Sequence, residues 1–357
     1  MRKLVILQTT IPDYREKIFL YLREELGENF ILFGGDNYFE SSVKTNYGLP
    51  FMCFVRNRFF LKRRFLFQTG MWGAILGNNV WVMEMNPRII SNWLILLIRK
   101  AAGKKTVLWG HAWPRAGKGS KSDRLRHFMR SLADEIIVYT HSQRRELHEL
   151  MPHKAIVAAP NSVFFKDEMC LINGDQVSKR KNFIYVGRLT LYKKPMLLVR
   201  AFKCLCAKDQ AMDVNLLIVG AGEEYEKIRQ YIEENNLIDR VKLFGHVGDY
   251  EELKDLYSTA IASVSPGYVG LSITQSFGFG VPMIISKREN HSPEIEAAVD
   301  GFNSLFFNTD DMENLAEKME GVIANRNSWI SRSEEIIDFA KERYSVEAMG
   351  SAFLELL

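Results

Sequence analysis

A chain of 357 residues, 47% hydrophobic and 25% charged, is long enough for two separate cores and has the composition of a globular protein. No apolar run approaches the roughly 18 residues needed to span a bilayer: the longest, 89–98, is broken by Ser91 and Asn92 and closed by Arg99 and Lys100, and the short stretch after Met1-Arg2-Lys3 reads as a first strand, not a signal peptide. The net charge of +4 hides an asymmetry, because residues 1–165 hold 25 Lys/Arg against 13 Asp/Glu, a balance of +12, while the remainder stands at −8, so one half is expected to face something anionic.

In chain order, strand-like segments fall at 3–9, 30–33, 80–85, 106–109, 135–139 and 155–158, and after a gap at 183–186, 215–219, 241–244, 260–264, 282–285 and 304–307. Helical periodicity marks 14–26, 144–150, 196–207, 223–235 and 312–323 between them. This alternation predicts parallel sheets covered by helices on both faces. The gap, 164–180, is polar, carries Asn173-Gly174-Asp175 and has no period, as expected of a linker. The expected division is a first domain over 1–165, a linker over 166–180 and a second domain over 181–344. A last helix, about 345–357, is expected to cross back onto the first domain. Two doubly wound sheets bind ligands outside the carboxyl ends of their strands and would face each other across a cleft. A transferase, an epimerase and a two-domain binding protein all fit that description. Cys53, Cys170, Cys204 and Cys206 form no CxxC pair and no disulfide framework, and read as structural thiols in a cytoplasmic protein.

The most informative segment is Tyr185-Val186-Gly187-Arg188-Leu189-Thr190-Leu191-Tyr192-Lys193-Lys194-Pro195. A strand ends at Val186, Gly187 turns the backbone, and Arg188 leaves the strand tip with Lys193 five residues later at the mouth of a helix. Two cations beside a helix N-terminus suit a diphosphate that gains charge as it leaves; they also suit a pair of solvated cations in a loop.

The segment resembles the "VGRL…K" signature of family 4 glycosyltransferases, and further matches follow in order. Leu216 to Gly222 is similar to the family's "LxIVGxG", Val241 to Val247 to its "VxFxGxV", Ser265 to Ile284 to its nucleotide-sugar loop ending in "GxPVI", and Pro293-Glu294-Ile295 with Asp300-Gly301-Phe302-Asn303 to its "PEI…DGxNG". The resemblance, carried by motifs over 183–310, implies a GT-B fold, two Rossmann-like domains, and a retaining transferase that takes a sugar from a nucleoside diphosphate. By that resemblance Arg188 and Lys193 neutralise the departing diphosphate. Donor contacts fall to Gly187, Gly220, Gly267, Gly270, Leu271, Ser272, Gln275 and Glu294. The pattern departs at two positions: Gly267 and Gln275 stand where the family carries glutamates. Gly267 offers only backbone, while Gln275 still hydrogen-bonds a ribose hydroxyl without charge.

In the first domain, His111 follows a strand, either as a plain loop histidine on a polar surface or, by the resemblance, as the histidine that many family members place near the reacting sugar or acceptor. The loop beyond it, with Arg115 and Lys118, reads as a cationic lid. Thr9 to Arg15 resembles the "PxYR" opening of some sugar-polymer transferases, with Arg15 either meeting acceptor phosphate or solvated on its helix. Segment 54–67 interleaves five cations with Phe and Leu, the composition of an interfacial segment on anionic lipid, or of a buried strand and helix with snorkelling cations.

His148-Glu149-Leu150-Met151-Pro152-His153 misses HExxH by one residue, Tyr225 replaces the third glycine of a dinucleotide fingerprint, and there is no DxD pair. No metal and no cofactor are therefore expected. The acceptor implied is a saccharide or polyprenyl-diphosphate-linked saccharide in surface-polysaccharide assembly, met at the cytoplasmic face of the inner membrane by the basic first domain, with no nucleic-acid partner. A nucleotide-sugar 2-epimerase and a non-catalytic GT-B partner subunit remain open alternatives.

Overall fold

The computed structural model describes the chain except for Met1, 41–43, Asn46, Arg115, 172–179 and 208–212. The chain divides into two compact units, one formed by residues 1–163 with 346–357 and the other by 164–345. Residues 172–179, most of the expected linker, lie outside the described residues.

The first unit is built on a seven-stranded parallel sheet in the order β3-β2-β1-β6-β7-β8-β9. Its strands are β1 (Lys3–Gln8), β2 (Phe30–Gly34), β3 (Met52–Phe54), β6 (Asn79–Glu84), β7 (Thr106–Trp109), β8 (Glu135–Val138) and β9 (Ala155–Ala158). Five successive residues of β1, Leu4 to Gln8, are buried, as expected of a strand covered on both faces. Val5 pairs with Ile31 on one side and Trp81 on the other. The connecting helices are α1 (Glu16–Leu26), α2 (Ile90–Ala101), α3 (Lys121–Leu132) and α4 (His141–Leu150). Arg99 of α2 is fully buried and ties the amino end of the sheet together, donating from Nη2 to the carbonyls of Asn79 at 2.7 Å and Lys105 at 2.8 Å.

Segment 54–67 is not the buried strand and helix expected on one of its two readings. It contains no helix: β4 (Arg56–Phe60) and β5 (Phe65–Thr69) form a separate antiparallel hairpin. Alternation is the cause. Phe59 pairs with Leu66, and Leu66 turns inward to pack with Phe39 and Ile89, while Arg56, Arg58 and Phe60 alternate outward. The turn runs through Leu61, Lys62 and Arg63, all with positive φ, a costly conformation for side-chain-bearing residues. Arg63 offsets that cost by donating to the Asn37 Oδ1 at 2.6 Å and the Phe39 carbonyl at 3.2 Å, with its guanidinium 3.8 Å from the Phe59 ring centre.

The second unit is built on a six-stranded parallel sheet in the order β12-β11-β10-β13-β14-β15. The strands are β10 (Asn182–Val186), β11 (Leu216–Val219), β12 (Val241–Gly245), β13 (Ala260–Ser265), β14 (Met283–Ser286) and β15 (Ser304–Phe307). Around them lie α5 (Pro195–Cys206), α6 (Tyr225–Glu234), α7 (Tyr250–Ser258), α8 (Ser272–Gly278), α9 (Met312–Ala324), α10 (Arg326–Ser331) and α11 (Ser333–Tyr344). All twelve expected strands are present, none displaced by more than one residue at either end. The final helix, α12 (Val346–Leu354), belongs to the first unit, where Phe353 meets the Trp109 ring edge-on at 4.9 Å and the carbonyl of Leu356 accepts from Lys105 at 2.8 Å. No helix of the described residues is long and apolar enough to cross a membrane.

Arg180, just before β10, is buried and donates to the carbonyls of Phe279 at 2.9 Å and Gly280 at 3.1 Å and to Ser333 Oγ at 3.0 Å, fastening the turn after α8 to α11. Arg180→Ala leaves three acceptors without a donor and should lower the unfolding free energy by about 3 kcal/mol. Urea melts of the two proteins measure this directly.

Candidate active site

In a parallel sheet the place where strand order reverses leaves two strand tips uncovered by crossovers, and ligands bind there. In the second unit the reversal falls between β10 and β13. The loops issuing from it are Gly187 to Lys194 after β10 and Pro266 to Leu271 after β13.

These loops are fixed by backbone. The turn after β10 lies against the turn after β11: Gly187 donates to Val219 at 3.0 Å, Leu189 to Ala221 at 2.9 Å and Glu224 to Leu189 at 3.0 Å. Gly220 makes this approach possible, since a Cβ there would sit 1.9 Å from the Gly187 carbonyl oxygen. Tyr268 then donates to the Tyr192 carbonyl at 3.0 Å, joining the β13 loop to the β10 loop. Gly267 is buried in that joint, where a Cβ would come within 2.3 Å of the Tyr192 oxygen. The absence of a glutamate at 267 thus has a steric reason: the backbone of the neighbouring loop fills the space a side chain would need. A third loop, after β14, is pinned from the other side. Val269 donates to His291 Nδ1 at 3.1 Å, Ser292 donates to the Val269 carbonyl at 3.1 Å, and His291 Nε2 lies 2.9 Å from the Ser286 carbonyl.

Three charged groups meet on this frame. Arg188 is exposed, its carbonyl held by the Tyr185 hydroxyl at 2.9 Å. Lys193 is half-buried, with its ammonium 4.6 Å from the centre of the Tyr268 ring. Burial, then the neighbouring charge of Arg188, pushes the Lys193 ammonium down to about 8, with Glu294 pulling the other way. Glu294 is buried and accepts from the Ser292 hydroxyl. Two cations held together at some desolvation cost form a site that gains from an anion. Gly270 and Leu271 lead into α8, where the Thr274 hydroxyl bonds back to the Leu271 carbonyl at 3.0 Å. Ser272 opens the helix and Gln275 lies half-buried in its first turn. At seven residues α8 brings only a short dipole.

In the first unit the reversal falls between β1 and β6. Arg15 is neither solvated on its helix nor extended from it. Its guanidinium donates to Gln8 Oε1 at 2.5 Å and Tyr139 Oη at 2.6 Å and lies 4.5 Å from the centre of the Trp109 ring. The His111 ring is exposed, with its centre 4.7 Å from that of Tyr139. The expected lid is tethered at both ends. Arg126 and Arg130 hold the carbonyls of His111 at 2.7 Å and Ala112 at 2.6 Å, and Asp123 accepts from Gly119 at 2.9 Å. Lys118 lies with Nζ 5.0 Å from the centre of the Trp113 ring; Arg115 lies outside the described residues. Glu84, at the tip of β6, accepts from the Thr9 amide, and burial raises its carboxyl above the usual range.

Sequence reasoning missed His291, Tyr268, Glu84 and Arg126. For His291 no pattern announced a loop latch. Arg126 carried a signal in its i, i+3, i+7 spacing with Asp123 and Arg130 on one helical face.

Residues 173–343 match the family of group 1 glycosyl transferases. An uncharacterized glycosyltransferase of Haemophilus influenzae is 23% identical over 276 residues, 74% of each chain. The GtfA subunit of the UDP-N-acetylglucosamine–peptide N-acetylglucosaminyltransferase of Streptococcus gordonii is 32% identical over 157 residues, 42% of this chain and 29% of that one. Among solved structures, Anabaena Alr3699/HepE in complex with UDP superposes with a TM-score of 0.71 at 13% identity, covering 100% of this chain and 99% of that chain. The fold is GT-B, and the chain is a glycosyltransferase related to the group 1 family.

Two pH effects follow. Because burial brings the Lys193 ammonium down to about 8, affinity for a nucleoside diphosphate should fall above that pH, by at most about tenfold per unit, and Lys193→Arg should flatten the profile. Calorimetric titration from pH 6.5 to 9.5 tests this. His291 is held neutral: burial, and further off the charge of Lys193, lower its pKa, and its Nδ1 is an acceptor. The unfolded state takes up this proton first. Stability should therefore be full above about pH 6.5 and fall below it, by at most about 1.4 kcal/mol per unit, until the folded-state pKa is passed. His291→Asn should remove this component from denaturant melts.

Proposed function

We propose that the protein transfers a sugar from a nucleoside diphosphate, with UDP as the carrier, to a saccharide on a polyprenyl-diphosphate lipid, retaining the anomeric configuration, in surface-polysaccharide assembly. The observation that carries this reading is the meeting of Arg188, Lys193 and Glu294 with the Gly267–Leu271 loop at the β10/β13 reversal. UDP stands in the names of Alr3699/HepE and of the Streptococcus gordonii relative.

In the proposed reaction the bond from the anomeric carbon to the β-phosphate oxygen breaks and a bond to the acceptor oxygen forms on the same face. The acceptor proton passes to the departing phosphate. Charge therefore grows on the diphosphate, and the paired cations Arg188 and Lys193 favour that state over the bound donor. The amides of Gly270, Leu271 and Ser272, with Gln275, hold the rest of the donor, and Glu294 orients Lys193 and meets the sugar. Gln275 serves as an uncharged ribose partner. His111 in the first unit orients the acceptor, with Lys118 near its phosphates, while Arg15 acts by holding Tyr139 and Trp109 in place. The basic first unit sets the enzyme on the cytoplasmic face of the membrane, where such a lipid is found.

The test is a thermal-shift series with UDP, GDP, dTDP and CMP. Stabilisation by UDP alone is the expected outcome, with Arg188→Ala weakening it by about 10- to 100-fold, the worth of one charge-assisted phosphate contact. If no nucleotide stabilises the protein, it is a non-catalytic partner subunit. Release of a free epimerised sugar from a UDP-sugar without any acceptor would replace transfer by epimerisation.

A further inference from the structure

Helix α2 has two apolar faces. Ile95 and Leu96 point into the core of the first unit, as an amphipathic helix on a sheet requires. On the other side Ile90, Leu94, Leu97 and Ile98, spaced i, i+4, i+7 and i+8, are exposed, Leu97 by 50%. This stripe does not end at the helix edge. Trp93 stacks on Phe128 of α3 at 5.8 Å, and Phe128 and Leu125 are themselves 56% and 49% exposed. Two adjacent helices thus turn one continuous apolar surface to solvent, and such surfaces mark docking sites.

The charges around it decide what docks. From residue 41 to 122 the sequence contains a single acidic residue, Glu84, and that one is turned inward to the Thr9 amide. Exposed Arg88 precedes the stripe and exposed Lys100 follows it, while exposed Lys121 and Arg124 flank it on α3. The first acidic residue of α3, Asp123, is buried against Arg130 at 2.9 Å. At the far end of the stripe, Lys100 also lines a cavity of about 340 Å³ with Arg2, Lys104 and Lys105, opposed by Asp134. An apolar face with a cationic rim repels a second copy of itself and complements a surface with apolar chains beneath anionic headgroups.

We infer that the outer face of α2 and α3 is the surface by which this protein docks on an anionic phospholipid bilayer, Leu94, Leu97 and Phe128 entering the acyl boundary and the cationic rim meeting lipid phosphates. This rests on the reading that the enzyme works at a membrane, and it places the contact on α2 and α3 instead of on the β4–β5 hairpin, whose exposed Leu61 and Lys62 are the other candidate.

The experiment is flotation of the full chain with vesicles of phosphatidylcholine alone and of phosphatidylcholine mixed with phosphatidylglycerol. The wild type should float with the mixed vesicles only, and less at high salt. The double variant Leu94→Glu/Leu97→Glu should lose at least about tenfold in partitioning, with unchanged melting and unchanged stabilisation by UDP, because both side chains are exposed and remote in sequence from the donor loops. Lys100→Glu/Arg124→Glu should lose binding by a similar factor. If the leucine variant floats as the wild type does, and Leu61→Glu/Lys62→Glu does not, the hairpin is the contact: the inference falls and the membrane reading stands. If the wild type floats with neither vesicle, both fall. If the wild type sediments as a dimer that the leucine variant dissolves, the face is a contact between copies and the inference is overturned.

Discussion

The second unit depends on two turns of backbone lying directly against each other, with no side chain between them. Gly220 meets the carbonyl of Gly187, and the turns after β10 and β11 become one hydrogen-bonded body. Arg188 projects from that body, so its position is set by main chain and does not rely on rotamer choice alone. The same logic passes outward through Tyr268 on Tyr192 and His291 on Val269, until the loops from β10, β13 and β14 hold one another. Preorganisation of this kind lets two cations be held close before any ligand arrives, with their mutual repulsion already offset by folding.

Much of this was legible in the residues. Parallel strands buried on both faces write themselves as short apolar runs, which is why the sheet strands were located closely, and β3, only three residues long and largely exposed, was not. The Arg188 and Lys193 loop was visible because a strand, a glycine and two cations succeed one another locally. What escaped depends on contacts between distant segments. Nothing near Gly267 in sequence says that Tyr192 occupies its side-chain space, so the glycine looked like a lost glutamate. His291 looked like any loop histidine until the Val269 amide was found on its Nδ1. The hairpin β4–β5 was hidden because its outward positions mix arginine with phenylalanine, which blurs the two-residue period.

The basic balance of the first unit also needs a finer reading than a count. Several of its arginines do structural work. Arg99 and Arg130 are buried donors to main-chain carbonyls, Arg63 braces a turn, and Arg15 is stacked and hydrogen-bonded. Arg99 and Arg130 are fully buried, each leaving an Nε with no partner among the described residues, so neither offers its charge to anything outside. The charge available to a partner is what remains exposed, and on α2 and α3 it surrounds apolar side chains instead of lying scattered.

The path of the chain has a consequence for its making. The second unit is one unbroken stretch, 164–345, whereas the first needs residues 346–357 from beyond it. As the chain leaves the ribosome, the unit translated first must wait with Trp109, Tyr21 and their neighbours uncovered, while the unit translated second can close as soon as it has emerged. Birth order and completion order are therefore reversed. During that interval the nascent first unit presents an open apolar groove along α1, the kind of surface that chaperones hold, until α12 packs into it.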